Sequence, residues 1–209
     1  MDGTAWQTYI DPDNEDEELH RGKIINLNKG ETVYFKATMG DVEGNPNLDG
    51  FIREDLMIYH YFVMEGSIKA DGNIQFLLEN TGTMIDVPYC CYSFMFNGCT
   101  ALTQAPAILP ATTLGDYCYY RMFSDCLSLT QAPELPAMTL ATGCYSYMFN
   151  GCTNLNNINV NFSSWWDQSS ATDYWVSNVS SSGTFTCPEV LLEEFGESCI
   201  PTGWTVVRK

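Results

Sequence analysis

The sequence predicts an α/β fold: a right-handed solenoid with a short helix and a short parallel strand per turn, preceded by a β-rich N-terminal cap. Three observations carry this expectation. The segments beginning at Cys91, Cys118 and Cys144 are near copies of one another, spaced 27 and then 26 residues apart. Each opens with apolar residues at helical spacing, and the first two continue into a short extended stretch bounded by prolines, which the third loses. A period in this range is that of leucine-rich repeats, whose single units cannot bury an apolar face without a neighbour.

The chain holds 209 residues, 45% hydrophobic and 13% aromatic, enough for one or two domains with a real core. Four segments are expected: an acidic N-terminal segment (1–20), the β-rich cap (21–80), the repeats (81–160), and a degenerate repeat with a C-terminal cap (161–209). The acidic stretch "DPDNEDEEL" reads as a solvated loop. Asp11, Asp13 and Asp16 offer calcium-type oxygens within residues 11–18, but the EF-hand order of ligands and glycine is missing. From Lys23, "KIINLN", a "KGE" turn and "TVYFKA" suggest a hairpin. Residues 40–50 read as a loop, and residues 56–78 as strands broken at Glu65-Gly66 and Asp71-Gly72, both good hairpin turns. His60, between two tyrosines, reads as a structural residue.

Within the third repeat, Cys144, Met148 and Cys152 fall at i, i+4 and i+8, Phe149 widens the stripe, and Gly151 is a helix stop. "LTQAPELP" suits one short strand, and the "PATTL"-type stretch a return loop. The expected repeat core is Cys91, Met95, Cys99, Cys118, Met122, Cys126, Cys144, Met148 and Cys152. On a helix the paired cysteines would stand about 12 Å apart, too far for one metal ion or a disulfide. Packing is therefore the expected role of these thiols, and no cofactor or metal is expected. Cys187 and Cys199 are left as a possible pair across the closing segment.

The net charge is −17 with nine Lys and Arg, which argues against nucleic acid and anionic membranes as partners. There is no run of 18 apolar residues to cross a membrane and no signal-peptide pattern at the start, so the chain is read as resident where it is made or as a piece of an exported protein. Residues 91–160 contain only Asp116, Arg121, Asp125 and Glu134 as charged residues. No nucleophile, phosphate-loop or metalloprotease motif occurs, and adjacent Glu193 and Glu194 are poorly placed for a glycosidase pair. An enzyme is not expected. For binding, Trp165, Trp166 and Asp167 in "SSWWDQSS" are the candidates: if the pair is extended, one ring faces in and the other out, and the exposed ring beside Asp167 and Gln168 would form a sugar-stacking platform. The other reading is that both rings seal the C-terminal cap. Trp204 reads as cap. Asn161 and Asn178 match the glycosylation sequon.

"LTQAPELPAMTLATGCYSYMFNGCTNL" resembles the BspA-like leucine-rich repeats of Bacteroidetes surface proteins and of phages of those hosts. The end, with its "GTF…P…IP-GWTV" pattern, resembles the closing segment of the same proteins, and "NLNKGETVYFKA…GNIQFLLEN" the β-rich segment before the repeats, so the likeness spans about residues 24–207. It implies a leucine-rich-repeat solenoid and a binding or adhesive role at a cell surface or in a virion, within a larger protein or assembly. It supplies no catalytic residue. Cys199 departs from the pattern, where a polar or basic residue is usual. The expected function is non-enzymatic recognition of a protein or glycan at a cell surface. The alternative is a structural virion component, tail- or fibre-associated.

Overall fold

The computed structural model describes residues 28–33, 52–53, 58–59, 62, 64–77, 82–83, 85–166 and 168–209. The 11–18 acidic stretch, His60, the 40–50 loop and most of the expected first hairpin lie outside these residues. Of that hairpin only the turn is described, closed by the Glu31 N–H donating to Asn28 O at 3.0 Å with Gly30 at φ +90°.

The expected α/β solenoid is not what the chain forms. Among the described residues there is no α-helix, only one 3-10 turn at Ile74–Leu77, and the strands are short and gathered into small sheets. β1 (Ile52–Arg53) pairs antiparallel with β2 (Ile58–Tyr59). The other pairings are parallel: β3 (Ile68–Lys69) with β5 (Leu102–Gln104), β4 (Asp86–Val87) with β6 (Thr113–Leu114), and the three-stranded run β7 (Asn157–Asn159), β8 (Thr184–Cys187), β9 (Thr205–Arg208). Two local expectations change with this. The bend at Gly66 leads into a parallel pairing rather than a hairpin, and the "PATTL" return stretch carries strand β6.

Where helices were expected, the backbone runs as overlapping turns. Cys91, Ser93, Met95, Asn97 and Cys99 each donate their N–H to the carbonyl three residues back, at 2.9–3.3 Å. An α-helix would use every amide, each to the carbonyl four back. Here the alternate amides leave the segment: Tyr92 donates to Cys118 O (2.7 Å), Phe94 to Tyr120 O (2.9 Å), Phe96 to Met122 O (2.8 Å) and Gly98 to Ser124 O (2.8 Å). The same alternation joins residues 117–125 to 142–150, and residues 143–151 to 169–177. Successive repeats thus lie as layers bonded through the backbone, and the stretch around Tyr174 completes a fourth.

A regular conformational beat makes this possible. Cys90, Phe94 and Gly98 have positive φ, as do Tyr117, Arg121 and Asp125, then Gly143, Tyr147 and Gly151, then Ser170, Tyr174 and Asn178. All twelve lie between 50° and 76°, one in every four residues. A four-residue period returns the chain to the same face at i, i+4 and i+8, which is why the apolar stripe looked helical.

The inner face is the core. Cys91, Met95, Cys99, Cys118, Met122, Cys126, Cys144, Met148 and Cys152 are all buried. Beside them run two columns of stacked rings. Tyr92, Tyr119 and Tyr145 stack at 5.7 and 5.9 Å, and Phe62, Phe96, Phe123 and Phe149 at 5.3–5.7 Å, nearly face to face. In the fourth layer Trp175 takes the place held by methionine in the others, and its indole N–H reaches Cys199 O at 2.8 Å. Trp204, also buried, donates to Ser180 O at 2.7 Å and closes the C-terminal end.

Candidate binding surface

The cysteines of the beat are packing and hydrogen-bonding groups. The Cys126 thiol donates to Phe96 O at 3.1 Å and the Cys152 thiol to Phe123 O at 3.0 Å, each reaching across to the preceding layer. All nine cysteines are free and buried, Cys187 and Cys199 included. Burial pushes the thiols of Cys118, Cys126 and Cys187 up, with those of Cys144 and Cys152 raised to about 12 and those of Cys99 and Cys199 to about 11. Thiolate, the form that binds metal or attacks a disulfide, is thereby disfavoured. Among the described residues no group of three or more His, Cys, Asp or Glu is placed to hold a metal ion.

The tryptophan pair separates. Trp165 is buried, packed against Phe162 at 5.1 Å and against Trp175 and Phe185 at 6.0 Å. Its indole N–H donates to Leu192 O at 2.8 Å, so it belongs to the cap. Trp166 points the other way and is 66% exposed. Asp167 lies outside the described residues. One ring in and one ring out is the arrangement of consecutive residues in an extended stretch, and it leaves Trp166 as the exposed ring of the pair. Glu193 is held by Arg208, with Nη2 3.2 Å from its Oε2.

A larger aromatic surface lies elsewhere, on the side of the layers turned from the core. Tyr89, Tyr117 and Tyr174 are exposed, and Phe94, Tyr120 and Tyr147 half-buried. The rings form a continuous row: Tyr89 to Tyr117 at 6.2 Å, Tyr117 to Tyr120 at 6.0 Å, Phe94 to Tyr120 at 5.3 Å, Tyr120 to Tyr147 at 5.9 Å, and Tyr147 to Tyr174 at 5.3 Å. Arg121 lies over the Tyr147 ring at 4.7 Å and the Tyr120 ring at 5.6 Å, a cation–π arrangement.

Four of these rings, Phe94, Tyr117, Tyr147 and Tyr174, project from positive-φ positions. Left-handed backbone costs an ordinary residue roughly 1–2 kcal/mol, and glycine, asparagine or aspartate are the inexpensive choices. The last left-handed position of each layer follows that rule, with Gly98, Asp125, Gly151 and Asn178. The middle position does not: it carries Phe94, Arg121, Tyr147 and Tyr174. Stacking between layers recovers part of that cost. In "CYYRMFSDC" the outward positions are Tyr120, Arg121 and Asp125, while Ser124 is buried.

No helix among the described residues is long and apolar enough to cross a membrane. Comparison of the chain with family models, curated proteins and solved structures gave no match.

Proposed function

We propose that the chain is a non-enzymatic binding module that recognises a protein or glycan at a cell surface. The observation that carries this reading is the outward row of aromatic rings from Tyr89 to Tyr174, presented on layers that backbone hydrogen bonds hold rigid. Rigid aromatic groups provide large contact area at little entropic cost. A surface of this kind suits recognition and requires no catalytic group. The resemblance of the repeats to BspA-like surface proteins points the same way and suggests an extracellular setting. The same layered rigidity supports a second reading, an interaction element in a phage virion.

The test is binding of the chain to glycan and host-protein arrays, with Tyr117→Ala, Tyr174→Ala and Trp166→Ala variants alongside. Loss of a bound ligand in either tyrosine variant supports the reading. Ligand binding that survives both tyrosine changes moves the site elsewhere, and its loss in Trp166→Ala alone returns it to the cap.

A further inference from the structure

Resting on that reading, we infer that the tyrosine face is a protein-docking surface and that its partner offers a basic patch. Three features lead there. The first is the composition of the face. At the layer positions turned from the inner columns, residues other than the aromatic ones are Ser, Thr, Asn, Gly, Asp and the buried Cys90, with Arg121 as the single cation; Ser93, Ser124, Ser146 and Ser177 are buried beneath the rings, and Asp116, Asp125, Ser169, Ser170 and Asn178 are the exposed small polar groups. No aliphatic side chain, lysine or glutamate stands among them. Tyrosine with Ser, Gly and Asn is the composition of antibody paratopes, where rigid rings give contact area and small polar groups adapt their hydrogen bonds. Enrichment in Tyr and Arg with depletion of Lys and Glu also marks protein interfaces.

The second feature is charge. The chain carries −17, and Asp116, Asp125 and Asp173 stand on the same side as the rings. Net negative charge disfavours an anionic partner and raises the encounter rate of a basic one. The third is Arg121, which shows how a guanidinium fits this face, lying over one ring and beside the next. Among the described residues Tyr117 and Tyr174 have no such cation from this chain. A partner's arginines would find there a ring and a nearby carboxylate, Asp116 beside one and Asp173 beside the other in the chain.

The experiment uses the full chain as bait for a displayed library of random cyclic peptides. Selected peptides are measured against the parent, a Tyr117→Ser/Tyr174→Ser variant, an Asp116→Asn/Asp173→Asn variant and a Trp166→Ala control, each checked for fold by near-UV circular dichroism. Arginine-containing binders are expected. They should weaken more than about tenfold with the tyrosine variant, bind the asparagine variant more slowly, and be indifferent to Trp166→Ala. Should the tyrosine variant not fold, the asparagine variant and the salt dependence of association carry the test. Arginine-rich binders that ignore both variants reflect bulk charge and overturn the inference. A neutral oligosaccharide bound by the parent and lost in the tyrosine variant also overturns it, while leaving the recognition reading intact. Recovery of no binder of either kind overturns both.

Discussion

Two tyrosines in one stacked column should respond in opposite directions to the same chemical change. Tyr119 is fully buried, and its hydroxyl has no hydrogen-bond partner among the described residues. Tyr92, one layer away and stacked on it at 5.7 Å, places its hydroxyl 2.6 Å from Gln75 Oε1 and 3.0 Å from Ile74 O. Burying an unbonded hydroxyl costs about 1–3 kcal/mol. Removing it by Tyr119→Phe preserves both ring contacts and leaves a void of one oxygen atom, which returns no more than about 1 kcal/mol of that gain. The variant should therefore be more stable than the parent by about 1–2 kcal/mol. Tyr92→Phe removes a short buried bond and should be less stable by a similar amount. Urea unfolding followed by tryptophan fluorescence reads both, and for a chain of this size each kcal/mol moves Tm by about 2–4 °C. If Tyr119→Phe is less stable than the parent, its hydroxyl is bonded in solution and the reasoning fails.

Other predictions test the layers, the thiols and the turns. In Gly115→Ala, the new Cβ meets backbone atoms of Val87, Pro88 and Tyr89 at 2.6–2.7 Å. Backbone cannot swing aside as a side chain can, so the variant should lose about 2 kcal/mol or more by thermal unfolding. Cys126→Ala removes a buried sulfur and its bond to Phe96 O, costing about 1–2 kcal/mol, while a chelator should leave Tm unchanged. The buried thiols also set an alkaline limit. Folding raises Cys144 from 9.0 to about 12, so its contribution is complete below pH 9 and is lost as pH rises toward 12. Urea midpoints measured from pH 7 to 11 should stay level and then fall. Finally, Tyr147→Gly should relieve left-handed strain but forfeit ring contacts with Tyr120 and Tyr174. A net loss of stability would show that interlayer stacking outweighs the strain.

The repeat and the buried stripe could be read from spacing alone, because any period near four puts Cys144, Met148 and Cys152 on one face. The helix could not. An α-helix advances 100° per residue, so i and i+8 differ by about 80°, a drift too small to notice in nine residues. The discriminating position was i+7. A helical stripe also includes i+3 and i+7, and here i+7 is Gly98, Asp125 and Gly151, residues suited to left-handed backbone and unsuited to a core. Gly151 is not a helix stop but one beat of the four-residue rhythm. The tyrosine row is not legible in the sequence, because Tyr145 and Tyr147 look alike there although one is buried in the inner column and the other faces out. Only the alternating amides, which depend on residues 26 or 27 positions away, separate them.

Because half the amides of each layer are spent on the next one, adhesion between layers is written in the main chain and is largely indifferent to side-chain identity. Such an object can grow or shrink by whole repeats: duplication of one 26-residue unit adds a layer, one or two rings of outward surface and an unchanged joint on either side. Pulled from its ends, it should give way one layer at a time, yielding a sawtooth of equal steps instead of a single rupture. Length and grip are thereby separable, the number of layers fixing the reach of the surface and the outward residues fixing what it holds.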